Sequence, residues 1–278
     1  MVISFDGGGS WVPSLSHQLS PGEVNMDLTR CGLLVERAEE LARLYREQGN
    51  WNDVKDVWFD ERLSNRSTRS SSQAIFRVLT SRLKNAPANL PNPRDLPRIL
   101  EKCATSRDKA QVLYFYLVED DALVKYAVHE YVSRLESGRQ ESLDFSDEAL
   151  MDILHSLEYT DGSSFDYADS TTRRWCEGFR SVMREIDVLE TQQEVVGLPP
   201  SIGEVPLLVS LGYSYEAGGD EWVNSPKGLL YLFQPEDRWD ELYNRVARTD
   251  SWEFVEVHGG LRLRPEDATY GWATGGDV

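Results

Sequence analysis

The sequence predicts a mainly helical protein with helix-turn-helix or winged-helix-like elements and a small β-hairpin near the C-terminus. Three observations support this fold class. Apolar residues recur at three- and four-residue spacing over much of residues 33–189. Asn50 and Ser146 stand where such periodic segments begin, as helix caps do. Two glycines, Gly259 and Gly260, separate a pair of short strand-like runs.

The first elements follow from composition and periodicity. Residues 1–25 are rich in Gly, Ser and Pro and lack periodicity, which predicts a flexible leader and leaves Met26 as a second candidate start. Helical spacing begins at Leu33. Asn50 caps a second helix, and a third runs from about Ser67 to Lys84.

The middle of the chain predicts four further helices after a linker. Four prolines between residues 86 and 97 favour an extended linker, because proline lacks the amide that a helix interior needs. The predicted helices are Pro97–Cys103, Lys109–Glu136 with a break near Glu119, Asp147–Leu157 and Thr171–Leu189.

The last third changes character. Prolines and glycines are expected to break residues 198–226 into short pieces, followed by a helix at Glu236–Arg248. Trp252–Val257 and Leu261–Arg264 form the predicted hairpin. We therefore predict an N-terminal helical domain at 26–160, with a helix-turn-helix-like basic helix, and a winged-helix-like domain at 161–278.

The composition is strongly acidic and poor in lysine. The net charge is −18, and six Lys stand against 23 Arg. High negative charge of this kind is typical of proteins adapted to a salty cytoplasm, although an ordinary acidic protein remains the alternative. The three cysteines are widely separated, so we expect reduced thiols. The sequence shows neither a long apolar span nor a signal peptide, which predicts a cytoplasmic protein without membrane contact.

Positive charge is concentrated in one segment. Between Arg62 and Arg94 there is no Asp or Glu, while the segment carries seven Lys and Arg residues. At about 100° per residue, the basic residues from Arg66 to Lys84 share one stripe of the third helix with Gln73, whereas Arg82 lies off it. Hydroxyl side chains crowd the start of this helix, where free amides can hold a phosphate.

A second arginine face occurs on the helix that follows Ser170. Arg173, Arg180 and Arg184 fall within about 40° of one another, opposite an apolar face. Arginine suits DNA because its planar fork binds phosphate or guanine in pairs. The alternative for both faces is an exposed surface whose arginines pair with nearby carboxylates. The predicted DNA-contacting residues are Arg62, Arg66, Ser67, Arg69, Gln73, Arg77, Lys84, Arg173, Arg174, Arg180 and Arg184.

The sequence does not predict an enzyme. The glycines of Phe5–Trp11 lack the Lys-Ser/Thr ending of a phosphate loop, and the four histidines are scattered. Paired acids such as Asp120 and Asp121 are expected anywhere in so acidic a chain. We expect no catalytic residue, metal or cofactor.

Three stretches resemble a known family. They are RCGLLVERAEELARLYREQGNWNDVKDVWFDERLSNRSTRSSSQAIFRVLTSRL from Arg30 to Leu83, STTRRWCEGFRSVMREIDVLE from Ser170 to Glu190, and LLYLFQPEDRWDELYNRV from Leu229 to Val246. All are similar to the BrxA family of BREX phage-defence systems. The resemblance implies a helical protein that binds double-stranded DNA and works beside a methyltransferase, an ATPase and a phosphatase-like protein.

Two hypotheses follow. The first is a non-catalytic, sequence-tolerant DNA-binding component of a BREX-type system, with a homodimer as one expected assembly. The second is an adaptor whose basic segment docks on an acidic partner protein or on RNA.

Overall fold

The computed structural model describes residues 19–29, 31–136, 142–257, 260–266 and 268–274. It confirms a mainly helical fold with an antiparallel hairpin near the C-terminus. The helices are α1 (Val35–Gln48), α2 (Trp51–Asp60), α3 (Arg69–Lys84), α4 (Leu96–Lys102), α5 (Ser106–Asp120), α6 (Ala122–Glu136), α7 (Asp147–His155), α8 (Asp169–Glu185), α9 (Glu204–Gly218), α10 (Lys227–Tyr231), α11 (Trp239–Val246) and α12 (Gly271–Thr274). The strands are β1 (Leu143–Asp144), β2 (Val196–Gly197), β3 (Trp252–Val257) and β4 (Gly260–Pro265), and short 3-10 helices lie at Asp27–Thr29, Gly219–Asn224 and Glu236–Arg238.

The caps that the sequence predicts are confirmed. The Asn50 side chain accepts hydrogen bonds from the amides of Asn52 and Asp53, at 3.1 and 3.0 Å. The Ser146 hydroxyl accepts from the amide of Ala149 at 3.2 Å. Each cap satisfies amides that have no partner within the first helical turn, so α2 and α7 begin where the sequence places them.

Two helices, α5 and α9, are buried on nearly all sides. Residues 110–118 of α5 and 205–214 of α9 are all buried, and the two helices pack on each other. Helices with apolar residues around the whole circumference belong in the centre of a fold. The predicted break near Glu119 is confirmed at Asp121, whose extended backbone separates α5 from α6.

The expectation of short pieces over residues 198–226 is wrong, because α9 is a 15-residue helix. Pro206 lies in its first turn, where a missing amide costs no hydrogen bond. Gly212 allows close packing, since an added Cβ would lie 2.8 Å from side-chain atoms of Thr269 and Tyr270. Pro206 and Gly212 suggest helix breaks in the sequence, but in the structure Pro206 lies at the start of α9 and Gly212 allows a close contact.

The hairpin packs beside α9. Its strands pair from Trp252 with Pro265 to Val257 with Gly260. The Trp252 ring makes edge contacts with Tyr215 and Trp222, with centroids 5.8 and 5.7 Å apart. Helix α8, which the sequence interpretation paired with this hairpin, packs on α5, α7 and the 3-10 turn Asp27–Thr29. The helix-turn-helix and winged-helix assignments stay predictions.

One buried cluster joins residues from both predicted domains. Tyr131 and Phe145 pack against Phe179 and Phe233, with ring centroids 4.7 to 6.4 Å apart. The division at residue 160 stays a prediction. Of the predicted leader, residues 1–18 lie outside the described residues, while Leu19 and Val24 are buried.

Candidate nucleic-acid interface

The predicted stripe of α3 is exposed to solvent. Arg69, Gln73 and Arg77 are exposed along the helix, while Ile75 and Leu79 on another side are buried. Phe76 anchors the helix on α2 through ring contacts with Trp58 and Phe59 at 5.9 and 5.5 Å. The amphipathic pattern of the sequence thus corresponds to a helix whose basic face is exposed and whose apolar face is buried.

The loop before α3 adds two exposed arginines, Arg62 and Arg66. Arg62 and Asn65 adopt left-handed backbone conformations with φ of 55° and 51°. The buried Ser64 carbonyl accepts a hydrogen bond from Arg37 Nε at 3.1 Å, which fixes the loop on α1. This loop spans residues 61–68, which is longer than the turn of about three to four residues in helix-turn-helix motifs.

Arg66 lies between two depressions at the start of α3. One, of about 530 Å³, is lined by Arg62, Ser67 and Arg69 among others. The other, of about 400 Å³, is lined by Cys31, Ser70 and Ser71 as well as by Arg66 itself. Three arginines and several hydroxyls therefore surround one helix N-terminus.

Helix capping leaves part of this N-terminus available. The Thr68 hydroxyl accepts from the Ser71 amide at 3.2 Å. The Ser72 amide donates to the Thr68 carbonyl at 3.1 Å. The amides of Arg69 and Ser70, the first two of α3, have no acceptor among the described residues. Free first-turn amides and the helix dipole both favour an anion here.

Arg77 already has an anionic partner. Its guanidinium donates to the carboxylate of Asp27 at 2.7 Å, although the Arg77 side chain remains 69% exposed. Asp27 opens the 3-10 turn Asp27–Thr29, which packs on α8. Lys84 lies at the other end of α3, about 22 Å from Arg69 at about 1.5 Å per residue. The structure thus brings Arg62, Arg66, Ser67 and Arg69 together at the start of α3 and spaces Gln73, Arg77 and Lys84 along the helix.

Arg82 is buried, in agreement with its predicted place off the stripe. Its guanidinium donates to the carbonyl groups of Gly32 and Cys31 at 2.6 and 3.0 Å. Burial lowers the pKa of Arg82, and the charge of Asp121 opposes that shift. This positive charge fixes the segment before α1 rather than facing solvent.

The arginines of α8 divide between two surroundings. Arg173 and Arg180 both donate to the Asp147 carboxylate of α7, at 3.4 and 2.6 Å. Arg180 also donates to the Phe145 carbonyl at 3.2 Å, and Arg184 is half-buried. Arg174 is exposed and lines a separate depression of about 370 Å³ beside Asp27.

Three partners in this region carry no sequence signal. Asp27, Arg37 and Asp147 are separated from the arginines or loop that they contact by 26 to 50 positions. Periodicity describes one helix at a time, so it does not predict contacts between elements.

Within the described ranges, no group of three or more His, Cys, Asp or Glu side chains could hold a metal ion. Burial raises the pKa of the Cys103 and Cys176 thiols to about 12 and 11.

A sequence model of the BrxA family matches residues 23–200, which include α3 and α8. The chain belongs to the BrxA family. This membership implies a component of a BREX phage-defence system. Among curated proteins, none matches.

A solved structure supports the fold of this BrxA-family protein. An uncharacterized protein from Magnetospirillum magneticum superposes with a TM-score of 0.54 at 12% identity. The match covers 76% of this chain and 98% of the other. Within the described part of the chain, no helix combines the length and apolar character needed to cross a membrane.

Proposed function

We propose that this protein is the non-catalytic, double-stranded DNA-binding component of a BREX phage-defence system. The observation that carries the proposal is that Arg62, Arg66 and Arg69 are exposed around one helix start and form no ion pair with a carboxylate of the described residues, although Asp60 lines the same depression. The chain contains 47 acidic residues. Its other arginines include many that do pair, such as Arg43 with Glu40 and Glu47.

The chemistry of this surface suits a phosphate backbone. A guanidinium binds two phosphate oxygens in a planar fork, and it is held less tightly by water than an ammonium group. The first amides of α3 add donors at the positive end of the helix dipole. Phosphate contacts set the position of a protein on DNA without reading sequence, so we propose sequence-tolerant binding. Gln73 is the side chain on this face that would pair with an adenine edge.

Charge reversal on this face tests the proposal. In Arg66→Glu/Arg69→Glu, we expect the affinity for a short DNA duplex at about 0.1 M salt to fall by roughly 100-fold, because two phosphate contacts become repulsive. The matched control is Arg43→Glu/Arg46→Glu, which changes the charge equally on the exposed face of α1. We expect that control to stay within about threefold of the parent protein. Fluorescence anisotropy of labelled duplex measures both affinities, and thermal unfolding checks that the variants fold.

Equal losses in the two double variants would show that net charge alone matters and would overturn the proposed site. The same measurement at several salt concentrations adds a second criterion. Removing two phosphate contacts should make the slope of log affinity against log salt shallower by about 1.8. At about 1 M salt the Debye length is about 3 Å, so direct contacts and shape fit must then carry the binding.

An adaptor using the same arginines is the second candidate. It is favoured by the volumes of the two depressions beside Arg66, about 400 and 530 Å³, which are large enough for an acidic side chain as well as for a phosphate. Retention of an acidic partner protein after nuclease treatment, lost in Arg66→Glu/Arg69→Glu, would support this candidate over DNA binding.

We further propose that the BREX methyltransferase, ATPase and phosphatase-like protein are its working partners in the cytoplasm of a salt-loving organism. Co-purification from cells that express the whole system, at the salt concentration of that cytoplasm, tests these contacts. Light scattering of the purified chain tests the possible homodimer.

A further inference from the structure

An apolar groove lies away from the arginine surface and shares no residue with it. It encloses about 570 Å³ between the end of α6, the β1–β2 pair and the segment that leads into α11. Leu143, Leu230 and Phe233 form buried parts of its wall, and the half-buried Trp239 closes one side. The Trp239 ring nitrogen donates to the Gln234 carbonyl at 3.0 Å, which fixes that side of the groove.

The exposed large apolar side chains of the described structure are gathered beside this groove. They are Val195, Val196 and Leu198, with exposed fractions of 38, 52 and 67%. Leu198 itself lines the groove. Val195 and Val196 directly precede Gly197 and Leu198, which line the groove, and several exposed apolar residues close to a cavity are typical of a binding surface.

A buried polar atom also lacks a partner at this place. Gln234 lines the groove and is 3% exposed. Its amide nitrogen donates to the carbonyls of Pro200 and Leu232 at 3.0 and 3.1 Å, which fixes the orientation of the amide. Its side-chain oxygen then has no donor among the described residues. This oxygen is covered by protein atoms, so it is an unpaired acceptor beneath the wall of the groove and is not itself a contact point for an occupant.

The charge around the groove is negative. Glu236 lines it, and Asp237, Asp240 and Glu241 are exposed on the turn and helix that follow. Residues 190–241 contain ten acidic residues and two basic ones. This negative field repels a phosphate backbone and attracts positively charged groups. The groove is therefore not part of the proposed DNA-binding surface.

We propose that this groove binds a basic segment of a partner protein through an apolar anchor. Leucine- or tryptophan-type side chains fill the groove and cover Leu198, while flanking Arg or Lys residues face Glu236 and Asp237. The partner is thus a protein segment that is apolar on one side and cationic on the other.

Two designed peptides test this on the whole chain. Both carry the same Leu and Trp anchors, and they differ only in having Arg or Glu at the flanking positions. We expect the Arg peptide to bind at least tenfold more tightly than the Glu peptide. Leu198→Asp should lower the affinity for the Arg peptide at least tenfold, because it places charge in the apolar groove. Leu198 is exposed, so this change leaves the folded core untouched.

Charge variants separate this groove from general attraction to an acidic protein. Glu236→Lys/Asp237→Lys should weaken the Arg peptide at least tenfold. Glu148→Lys/Asp152→Lys changes the charge equally on the exposed face of α7 and should have little effect. Equal effects of the two pairs would overturn the proposal, as would equal binding of both peptides or no binding at about 1 mM peptide. A homodimer that Leu198→Asp dissociates would instead show that a second copy covers the groove. DNA affinity stays unchanged in the groove variants if the two surfaces are separate.

Discussion

Arg82 and Arg77 show how the surroundings of an arginine decide what it contributes. They lie five positions apart on α3, yet Arg82 is buried and holds two backbone carbonyls, whereas Arg77 is exposed and pairs with Asp27. Loss of a buried donor leaves carbonyl groups without partners, and this costs more than loss of an exposed ion pair.

We therefore predict that Arg82→Met lowers the free energy of unfolding by about 2–4 kcal/mol. Arg77→Met is the control at an exposed position of the same helix and should change it by less than about 1 kcal/mol. Urea unfolding followed by circular dichroism measures both. Equal effects of the two substitutions would contradict the structural role of Arg82.

Asp121 is a buried carboxyl between α5 and α6. Its side chain accepts hydrogen bonds from the amides of Leu123 and Val124 at 3.1 Å each. Burial raises the pKa of Asp121 to about 6, against the opposing effects of those amides and of Arg82. The folded protein therefore keeps this proton between about pH 4 and 6, where the unfolded chain has lost it.

This difference sets the sign of a pH effect. As pH rises from about 4 to 6, ionisation of Asp121 costs the folded state more than the unfolded state, so the free energy of unfolding falls. Above about pH 6 the carboxyl is ionised in both states, so the lower stability persists without a further fall. Asp121→Asn keeps an acceptor for the two amides but does not titrate. Between pH 4 and 7, we predict that the stability of the natural protein falls by roughly 2 kcal/mol relative to this variant. Urea unfolding across that range checks it. A parallel pH dependence in the two proteins would rule the effect out.

At the scale of the elements, the sequence predicts α1 to α8 well because caps and periodicity are local. Asn50 and Ser146 mark two helix starts, and Asp121 interrupts a long apolar segment close to the expected break. Helix α9 escapes prediction, because Pro206 and Gly212 suggest breaks while its uniform burial removes the amphipathic pattern. Prediction from local periodicity and turn residues therefore fails for a helix that is buried on nearly all sides.

The candidate site also contains some features that the sequence predicts and others that depend on how helices pack. The exposure of Arg69, Gln73 and Arg77 follows from the helical period, and the structure bears that exposure out, whereas Arg66 lies in the loop before the helix. The pairing of Arg173 and Arg180 with Asp147 depends on how α7 packs against α8. A sequence cannot place two helices against each other from their separate patterns, so it could not distinguish paired from unpaired arginines.

The contact of α9 with α10 depends on a glycine. A Cβ added at Gly228 would lie 2.1 Å from the Ser210 carbonyl oxygen, and both backbones are part of helices. We predict that Gly228→Ala lowers the free energy of unfolding by about 1–3 kcal/mol, because the helices must separate. Gly22→Ala is the control, since a Cβ there meets nothing within 4 Å. Thermal unfolding compares the two, and a neutral Gly228→Ala would contradict the close approach.

At the scale of the whole molecule, the net charge of −18 predicts a salt-dependent stability. Like charges repel most in the compact state, and added salt screens them. We predict that the thermal midpoint rises between about 0.1 and 2 M KCl, by about 2–4 °C for each kcal/mol of repulsion that is screened. A variant with Glu148, Asp152 and Glu158 changed to Gln, Asn and Gln should show a smaller rise. A midpoint that is independent of KCl would contradict adaptation to salt.

If the protein binds DNA as proposed, the uneven distribution of charge also limits how many duplexes one molecule can hold. Arg62, Arg66 and Arg69 occupy one end of α3, while Arg173 and Arg180 share the carboxylate of Asp147. If α3 holds DNA, the remaining acidic surface repels a second duplex. One copy of the chain would then lie along DNA without joining two double helices, and bridging would require several copies assembled through another surface.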